Sequence, residues 1–440
     1  MYAVHNVRDG AGQHSLQEHR PPSVLSESVA EVHDRLLVWA ARPEGAFPVA
    51  DVLACYHAFG KHFVPLSLLQ ALDAARATCL ARNEDPAVVQ LLDCALDKLD
   101  GTYSYRTYLG LPLLTSARPP RRVGGIGADA LLTMLMADLV RHEVRPRDRT
   151  EPLRLMVPPP ELSFKRARLA MRVLVPALDR LTGRHPAGAA LAERARQLAA
   201  ARTDDHAEAL SLATEIWELF PESDRQRVTM SLLPVYVVDD EYLFIRTLQA
   251  YELVFMELAA STADAMEAVP ARRITDATRL MRGCVTMLRE ARPLFSLQAT
   301  MRAEAFLKFR GYTLGSSAIQ SEGYKAFEAL FAHPDTDRLE SPAFASVPRI
   351  KQMVSQGGVG LLEVLGSAAA GPGADEHLGC ALAELRAVLV EVDEVHQQWK
   401  RTHLRIASRM IGDEPGSGNT DGVSYLRAVM DNKVFSKEPS

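Results

Sequence analysis

The sequence predicts a mainly α-helical protein, and three observations carry that prediction. Apolar residues recur every three or four positions through most of the chain, the spacing that places them on one face of a helix. Strand-like alternation is confined to the short run Leu233–Val238. The stretch between Gly379 and Gly412 holds neither proline nor glycine, so nothing interrupts helical hydrogen bonding along it.

With 440 residues, 47% of them hydrophobic, the chain is long enough for two ordinary domains or one large helical body. A net charge of −5 gives no overall attraction to nucleic acid, and none is expected as a partner. Charges break every apolar run before it reaches bilayer length, so no membrane span is expected. The opening residues lack the basic-then-apolar pattern of a secretory signal. Cys55, Cys79, Cys94, Cys284 and Cys380 are scattered, without a CxxC pair. Buried, reduced thiols in a cytoplasmic protein are the expectation.

In chain order, residues 1–25 are polar with Pro21-Pro22 near their end and read as a flexible arm. Residues 26–114 form an N-terminal helical region, with Val29, Val32, Leu36 and Leu37 and then Leu68, Leu69, Leu72 and Ala75 at helical spacing. Two Pro/Arg-rich stretches, from Ala117 to Arg122 and from Arg145 to Pro160, mark connections. They belong to a helical region over 115–235 that includes an Ala-rich helix from Ala187 to Ala201. Residues 236–435 are the most regular, with helices predicted over Asp239–Ala260, Thr275–Leu307 and Cys380–Ile411.

The last of these helices carries the chemistry. Leu385, Leu389, Val392, His396, Trp399, His403, Ile406 and Met410 follow one another at steps of three or four and form one stripe. A histidine on such a stripe is commonly a hydrogen-bonded core residue. A rigid helix presenting a neutral imidazole to an apolar cavity is also what a haem iron requires. Gly412-Asp-Glu-Pro-Gly-Ser-Gly-Asn-Thr-Asp-Gly422 follows directly: a helix terminator and surface turn, or a gating loop that grips a polar group. No Gly-Lys-Ser/Thr follows it, so it is not a Walker-type phosphate loop.

Four blocks then resemble the tryptophan 2,3-dioxygenase family, in that family's order. Trp399-Lys-Arg-Thr-His403, with Gly412 and the Pro415-Gly-Ser417-Gly loop behind it, is similar to the family's W-R-x-x-H helix and its P-G-T-G-G-S-S-G loop. Asp240-Glu-Tyr-Leu-Phe244-Ile-Arg-Thr-Leu248-Gln-Ala-Tyr251-Glu-Leu-Val-Phe255 resembles H-D-E-x-L-F-I-x-x-H-Q-x-x-E-L-W-F. Phe309-Arg310 and Ser316-Ser-Ala-Ile-Gln-Ser-Glu-Gly-Tyr324-Lys325 resemble F-R…S-S-G-F-Q-S-x-Q-Y-R. Tyr105-Arg-Thr-Tyr108-Leu109 resembles the upstream Y-G-x-Y-L. The likeness covers residues 100–114 and 236–435; residues 115–235 stand as a large helical insertion between its parts.

The resemblance implies a helical haem-binding body with extra N-terminal and inserted helices, and haem and dioxygen as the reacting pair. It sets His403 as the iron ligand, with Trp399, Phe255, Ser316 and Arg409 about the cofactor. It places Phe244, Leu248, Tyr251, Lys325 and Ser417 about an aromatic amino-acid substrate, with Tyr105 and Tyr108 reaching across the subunits of a homo-oligomer (dimer or tetramer). Core packing is an equal reading of Phe244, Phe255 and Leu248. Leu248 stands where the family has a distal histidine and offers no hydrogen bond to an indole N–H. Lys325 stands at an arginine, exchanging a planar fork for a point charge, or is a solvated helix lysine.

Three functions remain open on these residues. One is insertion of dioxygen into the indole ring of tryptophan or a tryptophan-derived substrate, giving an N-formylkynurenine-type product. Another is a natural-product haem enzyme that mono-oxygenates or rearranges an aromatic amino acid. The last is a non-enzymatic haem-binding or interaction protein.

Overall fold

The computed structural model describes residues 23–43, 45–115, 127–146, 155–182, 186–201, 203–370, 376–412, 422–428 and 430. The polar N-terminal residues, most of both Pro/Arg-rich connections and the Pro415–Thr420 loop lie outside them. No strand occurs among the described residues; Leu233–Val238 contributes one isolated bridge, Leu155 to Val238. That run is apolar because it is buried between helices, so its alternation never needed a partner strand.

An N-terminal module comprises α1 (Ser23–Ala41), α2 (Val49–Phe59), α3 (Leu66–Arg82) and α4 (Pro86–Leu96). Helix α1 thus begins within the polar arm expected over 1–25. Asp85 caps α4 by accepting from the Ala87 N–H, and Pro86 at the first helical position removes no needed donor. Leu36, Tyr56, Leu68, Leu72 and Leu91 build a core of its own, to which the body adds Leu113, Met230 and Leu233. The α2–α3 loop docks on the body through Gly60, whose φ is +75°; a Cβ there would come within 2.7 Å of the Tyr236 backbone.

Two short helices, α5 (Tyr105–Tyr108) and α6 (Leu111–Leu114), lead into α7 (Ala128–Val144), α8 (Pro160–Thr182), α9 (Pro186–Ala200), α10 (His206–Glu218) and α11 (Glu222–Met230). This 115–235 region shares one continuous core with everything after it: Leu135, Phe164, Leu174 and Ile216 pack in the same cluster as Leu248, Phe255 and Leu389. Arg166 of α8 is fully buried and bonds Glu143, Asp240 and Thr300, tying α7, α8 and the start of the next helix together.

The body continues with α12 (Asp240–Ala268), α13 (Ile274–Glu290), α14 (Arg292–Gln298), α15 (Ala303–Arg310) and α16 (Glu322–Phe331). Three short helices follow, α17 (Thr336–Leu339), α18 (Pro342–Ala345) and α19 (Pro348–Ser355), and then α20 (Leu361–Ala370), α21 (Glu376–Ile411) and α22 (Val423–Ala428). The single helix expected over Thr275–Leu307 is three. Pro293 cannot donate to the preceding turn and starts a new helix as its N-terminal proline, and the chain leaves helical geometry again near Arg302.

That break matters because α13 and α21 run parallel. Arg282 pairs with Glu384 and Arg289 with Glu391, each across 102 residues of sequence. Ile274, Ala277, Met281, Cys284 and Leu288 on one helix, and Leu382, Leu385, Leu389, Val392 and His396 on the other, alternate steps of three and four. This is the seam of a left-handed pair. Four cysteines are buried and unpaired; Cys380, expected buried, is exposed on the outer face of α21.

Candidate active site

Continued along α21, the heptad seam reaches Trp399 and His403. On α13 it stops at Glu290, and α14 takes over at a new angle. Phe295 of α14 meets Trp399 with ring centres 5.4 Å apart and His403 at 6.5 Å. The residue in register with His403 is Met301, in the non-helical turn before α15. The break sets α14 and α15, rather than a continued α13, against this end of α21.

The His403 imidazole is partly open, and its ring lies 5.4 Å from that of Trp399, one turn earlier. Neither ring nitrogen makes a hydrogen bond among the described residues, and burial lowers its pKa to about 4. It is a neutral imidazole with both nitrogens uncommitted. His396, two turns back, is fully enclosed, bonds the Tyr324 hydroxyl at 3.2 Å and has its pKa lowered to about 3 by burial, with Lys400 adding to the effect. It fills the core position expected of it.

Aromatic rings wall the space. Phe255 stands edge-on to Trp399 at 5.1 Å, Tyr324 lies nearly parallel to it at 5.6 Å, and Tyr251 is 6.1 Å away and 5.2 Å from Phe295. The Tyr251 hydroxyl is buried with no hydrogen-bond partner. One turn towards the start of α12, Leu248 is buried, and Phe244 packs at 5.6 Å on Phe306 and 5.3 Å on Phe309 of α15. Phe244, Leu248, Tyr251 and Phe255 share one face of α12 because they step by four, three and four.

Other expected site residues are placed differently. Lys325 is buried and gives its ammonium to Glu328 at 3.2 Å, a carboxylate that Arg338 also grips at 2.7 and 2.9 Å. Burial lowers the Lys325 pKa to about 8 against the pull of Glu328. The Tyr105 hydroxyl donates to Glu252 at 3.0 Å and Tyr108 to Glu241 at 3.2 Å, so both pair with carboxylates of α12 in their own chain. Ser316 is buried beside Tyr103, and Arg409 is exposed on the outer side of α21. Ser417 lies outside the described residues.

Phe295, Phe306 and Tyr324 were not singled out from the sequence. Phe295 was hidden inside a helix read as continuous; its signal was Pro293 two residues earlier. Arg310, also given no role, ends α15 directly after Phe309 and is partly buried. Among the described residues no three His, Cys, Asp or Glu side chains gather to hold a metal ion. No helix there is long and apolar enough to cross a membrane.

Fold and site together define a helical protein in which a neutral imidazole, without a hydrogen bond among the described residues, stands partly exposed beside a cluster of aromatic rings. The tryptophan 2,3-dioxygenase family model matches residues 373–437, the segment that contains His403. A tryptophan 2,3-dioxygenase of Shewanella woodyi is 26% identical over 245 residues, 48% of this chain and 84% of that one. One from Caulobacter vibrioides is 28% identical over 228 residues, 44% of this chain and 86% of its own. A third, from Exiguobacterium sibiricum, reaches 41% over 54 residues, 12% of this chain and 19% of its own. Over these segments the chain is similar to tryptophan 2,3-dioxygenases.

Proposed function

We propose that this chain is a haem-dependent oxygenase of an aromatic amino acid, tryptophan or a compound derived from it, with His403 as the ligand to the iron. One observation carries the reading: the family-matched helix holds a neutral imidazole, free of hydrogen bonds, against Trp399 and Phe295 at the point where the α13–α21 seam opens. His396, by contrast, bonds the Tyr324 hydroxyl through Nε2. The residues fit the group: a lone pair available without deprotonation, aromatic rings for a flat macrocycle, and in Tyr251 a buried hydroxyl still lacking a partner.

When bound, haem supplies the dioxygen chemistry; the protein binds, orients and shields. Trp399 and Phe295, themselves in contact, both pack against the His403 ring and limit its rotation. Leu248 and Phe244 present no donor or acceptor, so they exclude water and hold an aromatic substrate by packing. No side chain on that face moves a proton. Lys325, paired to Glu328, is not free to hold a substrate acid group.

A second reading rests on Leu248 and Lys325. Without a hydrogen-bonding residue at the first and a free cation at the second, the site suits a modified aromatic substrate and transfer of a single oxygen. The test is an absorption spectrum of the haem-supplied full chain beside His403→Ala, with product mass after exposure to L-tryptophan and oxygen. A ferrous histidine-ligated spectrum, lost in the variant, with two oxygens in the product supports the proposal. One oxygen selects the second reading. Haem uptake indifferent to His403 overturns both.

A further inference from the structure

The N-terminal module lies outside the segments of family likeness, yet its α2–α3 loop reaches both connections from which the walls of the site are hung. The loop meets the body at Pro234–Tyr236: the Lys61 N–H donates to the Pro234 carbonyl at 2.8 Å, and Gly60 lets the Tyr236 backbone come close. Glu241 accepts from the Val235 and Tyr236 N–H groups at 2.7 and 3.0 Å, so the same run is the lead-in to α12, the helix of Tyr251 and Phe255. The next residue of the loop, His62, bonds the Tyr312 carbonyl at 2.6 Å, across 250 residues of sequence. A carbonyl only accepts, so the imidazole Nε2 carries the proton. Burial, with the Lys98 charge adding to it, lowers the His62 pKa to about 4 and keeps the ring neutral.

Tyr312 belongs to the turn between α15 and α16. Gly311–Thr313 make a single tighter helical turn, and the chain then reverses through Leu314 at φ +48° and Gly315 at φ +84°. Leucine seldom adopts a left-handed conformation, and the Leu314 side chain is exposed, so its own packing does not hold it there. Bonds within the turn supply part of the hold: the Thr313 hydroxyl donates to the Arg310 carbonyl, and the Ser316 N–H to the Thr313 carbonyl. The module supplies more. The His62 ring lies 5.4 Å from that of Tyr312, Phe63 stands edge-on to it at 5.3 Å, and Tyr236 stacks on it at 4.7 Å.

Both arms of this turn carry walls of the site. Just before it, Phe306 and Phe309 of α15 pack on Phe244. Just after it, the Ser317 N–H donates to the Gln320 side chain, Ser321 accepts from the Tyr324 N–H at 3.1 Å, and the Tyr324 ring lies nearly parallel to Trp399 at 5.6 Å. We propose that the N-terminal module positions the aromatic wall of the site, with His62 as the positioning residue: its bond to the Tyr312 carbonyl holds the α15–α16 turn and thereby sets Tyr324 against Trp399. This role is independent of what His403 binds.

The chain has three tryptophans, so Trp39→Phe with Trp217→Phe leaves Trp399 as the sole indole reporter in the full-length protein. Acrylamide quenching of its fluorescence reads how closely Tyr324 and the other rings cover it. His62→Ala is expected to raise the quenching constant about twofold, and His62→Gln, whose amide N–H reaches the same carbonyl, to restore it. Phe63→Leu should act in the same direction as His62→Ala. Tyr56→Phe is the matched control: it deletes a 2.8 Å bond to the Ala95 carbonyl inside the module and should leave Trp399 unchanged. Melting curves verify that each variant is folded at the temperature of the measurement. Quenching unchanged in His62→Ala, no recovery in His62→Gln, or an equal rise in Tyr56→Phe overturns the proposal and leaves the module a structural addition.

Discussion

Trp399 and His403 stand one helical turn apart and differ in their neighbours. Trp399 is ringed by Phe255, Phe295 and Tyr324, while His403 meets Phe295 and Trp399 and is partly exposed. Tyr251 stands out as well, its hydroxyl buried among those rings with nothing to bond. An unsatisfied buried hydroxyl costs about 1–3 kcal/mol. Tyr251→Phe should therefore stabilise the haem-free chain, by roughly 1 kcal/mol in urea unfolding. If haem loading gives the hydroxyl a partner, the loaded variant should lose that advantage. An equal gain in both forms would make Tyr251 simple packing. At this scale the sequence was informative where residues step along one helix: Phe244, Leu248, Tyr251 and Phe255 could be grouped from spacing alone. It did not reveal the pairing of Lys325: Glu328 is one turn on along α16, but Arg338, which grips the same carboxylate, comes from beyond the end of that helix.

The α13–α21 pair shows what holds the helices that carry those residues. Its two most visible links, Arg282–Glu384 and Arg289–Glu391, are half exposed at both ends. Solvent screening and side-chain entropy leave such pairs worth under about 1 kcal/mol. The apolar seam is the stronger device. Leu389→Ala in its middle should cost about 2–5 kcal/mol and Arg289→Ala less than about 1, as read from paired denaturation curves. Comparable losses would mean that the charges, rather than the seam, set the register. Long helices with an unbroken stripe were legible beforehand, and α21 was found to within a few residues of its start. The division of α13 from α14 was not: the apolar spacing runs on past Pro293, and only the missing N–H interrupts it. The contacts of Phe295 with Trp399 and His403 depend on that interruption.

Across the whole molecule, the region over 115–235 reads from sequence as an insertion, since nothing in it matches the family blocks. It is nevertheless built into the body. Arg166 on α8 is fully buried, and its guanidinium bonds Glu143 at 3.2 Å, Asp240 at 3.0 Å and the Thr300 hydroxyl at 3.1 Å. Asp240 also takes two bonds from the Arg302 guanidinium and one from its backbone N–H, and opens α12, the helix that carries Phe244 to Phe255. Spacing along one chain segment cannot reveal such a network, because its members come from four elements far apart in sequence. Its energetics are asymmetric: removing one partner of a buried pair leaves the other charge stranded, at about 3–5 kcal/mol. Arg166→Met, which keeps the bulk of the side chain, should lower stability by that amount. It should do so in one transition, because α8 and α12 share a core. Helical signal and Trp399 environment, followed together through a urea titration, should fall at the same midpoint in both wild type and variant. A separate early loss of helix with the Trp399 signal intact would mean instead that residues 115–235 fold as a unit of their own, and that the oxygenase body stands without them.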